Sequence, residues 1–72
     1  MKVVDYEILV QDLIPPIGGV LKYYAGIQFL VVETPEGNKR INPNLGETYG
    51  KTSEEARDKM QEKFDNWIKQ NT

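Results

Sequence analysis

Apolar and polar positions alternate from Val3 to Leu13. Val4, Tyr6, Ile8 and Val10 fall on one side, Asp5, Glu7 and Gln11 on the other, and Leu9 breaks the order. A period of two built from β-branched and aromatic residues predicts a half-buried strand. Leu13-Ile14-Pro15-Pro16-Ile17-Gly18-Gly19-Val20 interrupts it. Two prolines without N–H donors and two glycines predict a loop, and an unusually apolar one. Lys22 to Thr34 reads as a second strand, apolar on both faces: Ile27, Phe29 and Val31 on one, Leu30 and Val32 on the other. A strand covered on both faces is usually central in its sheet. Glu33 to Asn38 is a turn, Lys39 to Asn42 a third strand, Asn42 to Gly46 a second turn, and Glu47 to Gly50 a short extended piece.

The pattern then changes period. Thr52-Ser53-Glu54-Glu55 fits a capping box, with Thr52 as N-cap and Glu55 at the third helical position. Glu54, Glu55 and Asp58 sit in the first turns, where the helix dipole favours carboxylates. Ala56, Met60, Phe64, Trp67 and Ile68 recur at helical spacing as one apolar stripe. Glu55–Lys59 and Asp65–Lys69 are acid-before-base pairs four apart. The spacing predicts a helix from Ser53 to about Gln70.

The order strand, strand, strand (with a short extension), helix predicts an α+β fold. A three- to four-stranded antiparallel sheet would carry one C-terminal helix on one face, as a two-layer β-β-β-α sandwich. Met60, Phe64 and Trp67 are expected to pack against Ile8, Val10, Phe29 and Val31. A chain of 72 residues is one domain of this kind, spanning 1–72. Its 39% hydrophobic and 28% charged residues fit a folded soluble domain.

Composition narrows the chemistry. There is no cysteine and no histidine. Zinc fingers, iron–sulfur sites, disulfides, thiol nucleophiles and Ser-His catalysis are therefore excluded. No phosphate loop, calcium loop or nucleophile elbow is present, so neither enzyme activity nor a cofactor is expected. Lys2, Asp5 and Glu7 interrupt the N-terminus, no apolar run reaches membrane-spanning length, and the expected location is the cytoplasm without membrane contact.

The stretch Asn42-Pro43-Asn44-Leu45-Gly46-Glu47-Thr48-Tyr49-Gly50-Lys51-Thr52-Ser53-Glu54-Glu55-Ala56 resembles the signature of HicB-like antitoxin domains. In that family a proline-containing turn leads through a short strand to Gly-x-Thr-x-x-Glu-Ala and a helix. The resemblance implies a small antitoxin-type domain that covers the surface of a partner protein. A coarser likeness is to double-stranded RNA-binding domains, which also place a helix after three strands. Their phosphate-facing lysines are replaced here by Ser53, Glu54, Glu55 and Ala56.

Two surfaces are candidates for binding. Leu13, Ile14, Ile17, Val20, Leu21, Tyr23 and Tyr24 concentrate large apolar side chains in one short segment. Exposed apolar clusters mark interfaces, and Tyr is enriched there. Ile14, Ile17, Tyr23 and Tyr24 are thus the candidate contacts to another protein or to a second copy in a homodimer. Lys39, Arg40 and Lys51 form the alternative, a phosphate patch of a compact nucleic-acid-binding domain. Nine basic against eleven acidic residues give a net charge of −2, which weighs against nucleic acid as the partner. The expected function is a small non-enzymatic protein-binding module, an antitoxin-like or regulatory subunit.

Overall fold

The computed structural model of the chain describes residues 2–71. Four strands precede one helix: β1 (Lys2–Ile17), β2 (Leu21–Thr34), β3 (Gly37–Ile41), β4 (Thr48–Gly50) and α1 (Ser53–Asn71). All pairings are antiparallel. β1 lies along one edge of β2, while β3 and β4 follow one another along its other edge. The helix packs on one face of this sheet, giving the two-layer α+β fold that the pattern predicts.

The first two strands are longer than expected. Instead of a loop over Leu13–Val20, β1 continues to Ile17 and the chain turns over Gly18–Val20. Gly18 and Gly19 take φ of +61° and +71°, and Val20 N–H donates to the Ile17 carbonyl at 3.2 Å. Two consecutive left-handed residues make the tight turn whose twist suits a hairpin. The prolines sit where a strand tolerates them. Asp12 pairs with Tyr23 and Ile17 with Leu21, so Leu13–Pro16 bulges out opposite Lys22 alone. Missing N–H groups cost little in an edge-strand bulge. The long hairpin makes the molecule an elongated body of 47 × 19 × 16 Å.

Two further bulges decide which side chains reach the helix. Glu7 pairs with Phe29 and Ile8 with Ile27, leaving Gln28 unmatched; Val3 pairs with Val32 and Asp5 with Val31, leaving Val4 unmatched. Each extra residue reverses the alternation of faces. Leu30 and Val32 therefore lie under the helix with Ile27, and Phe29 and Val31, expected there, turn to the opposite face. Val4 is exposed, and Val3 takes its place against the core.

The core has two joined parts. Ala25, Ala56 and Met60 are fully buried, with Ile8, Val10, Tyr23, Ile27 and Leu45 around them. Leu30, Val32 and Phe64 form the second part, flanked by Val3, Ile41, Trp67 and Ile68. The expected contacts of Ile8 and Val10 are present. Trp67, expected to be mostly buried, is half-buried near the end of the helix, its ring stacked on Phe64 at 6.0 Å between centroids.

The helix start follows its sequence signal with one shift. Glu55 N–H donates to Thr52 Oγ1 at 3.1 Å, but the Glu55 carboxylate accepts from Lys51 N–H rather than from the cap residue. Lys59 and Lys63, on the helix surface, reach back to the preceding chain. Lys59 Nζ donates to the Tyr49 carbonyl at 2.9 Å and pairs with Glu55 at 3.1 Å, and Lys63 Nζ donates to the Leu45 carbonyl at 2.7 Å. They pin the 42–50 segment to the helix.

Candidate functional site: the hairpin arm

The β1–β2 hairpin beyond Gln11 and Tyr24 carries three exposed large apolar side chains. Ile14 is 87% exposed, Ile17 49% and Val20 48%. Ile14 occupies the bulge, outside the paired register of β1 and β2. Beside it, Leu13, Ile14, Pro16, Tyr23, Asp12 and Lys22 line a shallow cavity of about 240 Å³. The arm thus combines a protruding apolar residue with an adjacent apolar notch.

The four candidate contact residues do not share one surface. Ile14 and Ile17 are together on the arm. Tyr23 faces the helix side and packs against the core. Tyr24 lies on the opposite face, where its hydroxyl donates to Gln11 Oε1. The alternation alone dictated that only one tyrosine could join the core. Leu13 and Pro16, which line the notch, and Val20 complete the arm surface.

The basic residues are dispersed. Lys39 pairs with Val32 in register and so faces the helix side, where its Nζ bridges Glu36 at 2.6 Å. Arg40 faces the other way, its guanidinium carbon 5.2 Å from the Phe29 ring centroid. Lys51 follows Gly50, which pairs with Tyr23 near the far end of β2. At the usual rise per residue, roughly 25–30 Å of strand separates it from Lys39.

A second set of hollows follows the edge of β2 between its β3 and β4 pairings. One of about 250 Å³ is lined by Ile27, Gln28, Phe29, Arg40, Ile41, Asn42 and Pro43. Beside it, a hollow of about 260 Å³ is bordered by Gly26, Asn44, Leu45 and Glu47 among others. Carboxylates do not converge here, and among the described residues no group of three potential metal ligands occurs. A shifted carboxyl lies elsewhere, at the helix start. The Lys59 ammonium hydrogen-bonded to Glu55, helped by the Lys51 N–H, holds its carboxyl below the ordinary value. That arrangement caps a helix.

Comparison with protein-family models, curated proteins and solved structures gives no match. Among the described residues, no helix is long and apolar enough to cross a membrane.

Proposed function

We propose that this chain is a small non-enzymatic protein-binding module, an antitoxin-like or regulatory subunit, whose docking element is the Leu13–Leu21 arm. The observation that carries the reading is the exposure of Ile14 at 87% beside an apolar notch. Burying one such side chain in a partner contributes roughly 1.5–3 kcal/mol. Pro15 and Pro16 stiffen the arm, which lowers the entropy lost on docking. The partner is expected to present an apolar side chain to the notch and a pocket to Ile14. The arm's polar flanks, Asp12 and Lys22, suit the rim of such a contact.

Affinity capture with the intact chain and with Ile14→Asp tests this. Retention of a specific protein by the first and its loss with the second, both variants melting alike, is the expected result. Identical capture profiles would remove the arm from consideration.

A further inference from the structure

β3 and β4 leave a gap between them on the edge of β2. Leu30 pairs with Ile41 and Ala25 with Thr48, and Gly26–Phe29 have no strand partner on this edge. Among the described residues no backbone hydrogen bond joins them to the 42–47 turn. A strand directs part of its N–H and C=O groups to each edge, so peptide groups lie open here. The hollows of about 250 and 260 Å³ lie against this stretch and share Ile27 and Asn42. Opposite charges stand at its two ends. At the β3 end the Arg40 guanidinium lies over Phe29, 5.2 Å from the ring centroid. At the β4 end Glu47 Cγ lies 3.9 Å from where a Cβ on Gly26 would be. Gly26 and Phe29 are next to the fully buried Ala25 and Leu30, so both charges stand on the face away from the helix. Among the described residues neither charge is in an ion pair, and Glu47 accepts only the Tyr49 hydroxyl, at 3.4 Å.

We infer that the gap binds a zwitterionic dipeptide, its ammonium on Glu47, its carboxylate on Arg40 and its peptide group against the open edge of β2. Length and charge together select this occupant. Gly26 and Phe29 are three residues apart, roughly 10 Å. Two charge contacts of about 3 Å and two residues of about 3.4 Å each cover that distance and the reach of the two side chains. A longer strand does not fit, because β3 and β4 already occupy the edge on either side. The open edge offers main-chain groups, which another peptide group complements and a free amino acid does not. Ile27, Phe29, Ile41 and Pro43 line the hollow beside Arg40, which suits an apolar C-terminal side chain. Asp5 and Glu7 stand on β1, across β2 from the gap. The inference does not rest on the arm.

Amide shifts of the full chain read the site, with alanyl-leucine titrated to about 20 mM, since a ligand of this size is expected to bind with a Kd of roughly 1 mM. The shifts should cluster at Gly26–Phe29, Arg40, Asn42 and Glu47. N-acetyl-alanyl-leucine and alanyl-leucine amide should each bind about tenfold more weakly, having lost one charge contact. Free leucine, without a peptide group, should also bind more weakly. Arg40→Gln should weaken alanyl-leucine about tenfold and leave the amide unaffected, while Glu47→Gln should weaken it as much and leave the acetylated form unaffected. Both positions are exposed, so the variants should melt like wild type. No shift at the highest concentration, shifts confined to the arm, equal binding of the charged and blocked probes, or variants that change all probes alike or none would each overturn the inference.

Discussion

Gly50 abuts the first turn of the helix so closely that a Cβ in its place would stand 2.6 Å from the Ala56 amide nitrogen and 2.9 Å from Glu55 Cβ. The short strand β4 can lie against the helix start only without a side chain there. Thr48, two residues earlier, uses the same proximity: its hydroxyl donates to the Ala56 carbonyl at 2.7 Å in a buried setting. Gly50→Ala should therefore destabilise the fold by about 1–3 kcal/mol, the usual cost of overpacking. A lowered thermal midpoint is the expected reading; an unchanged one would show that β4 can move away freely.

The cap is a separate contribution. Thr52→Ala removes the oxygen that accepts Glu55 N–H and should cost about 0.5–2 kcal/mol, with Thr52→Ser close to wild type. Denaturant midpoints of the three proteins distinguish the lost hydrogen bond from a change in bulk.

Glu55 makes stability depend on acid. Its folded-state carboxyl titrates below its ordinary value because Lys59, then the Lys51 N–H, favour the charged form. A depressed pKa contributes stability that is present above the unfolded value and lost as pH falls through the folded one. Wild type should therefore exceed Glu55→Gln in stability near neutrality. The difference should shrink below the ordinary carboxylate range. Denaturation of both proteins across that range checks this, and a pH-independent difference would contradict it.

The helix contacts rank by burial. Phe64 is fully buried between Tyr6, whose ring is 4.4 Å away, and Trp67. Phe64→Ala should cost ~3–5 kcal/mol. A chain this size has only about 4–11 kcal/mol in total. Trp67→Ala should cost less, since its ring is half-exposed. Thermal melts that reversed this order would place the second core part elsewhere.

The helix, its cap and the strand order were legible because each is a local signal: spacing, a capping pair, a turn residue. What the pattern misplaced depends on pairing. Nothing local marks Gln28 as the unmatched residue, yet its bulge exchanges Phe29 and Val31 for Leu30 and Val32 under the helix. The both-faces-apolar character of β2 conceals such a shift, because either register buries hydrophobic groups. Prolines read as a loop in Leu13–Val20 because the pattern does not show that β1 is an edge, where they are tolerated. Of the candidate contacts, Ile14 and Ile17 emerged from composition alone. The separation of Tyr23 from Tyr24 followed from period two. The roles of Lys59 and Lys63 did not, since their carbonyl partners lie ten and eighteen residues away.

Docking through the arm is tested most directly by a photoreactive benzoylphenylalanine placed once at position 14 and once at position 62, an exposed site on the helix. Crosslinking in native lysate is expected to give one discrete protein adduct from position 14, absent from position 62 and abolished when Ile17→Asp is added. Equal labelling from both positions, or an adduct from position 14 that survives Ile17→Asp, would contradict the arm as the docking element.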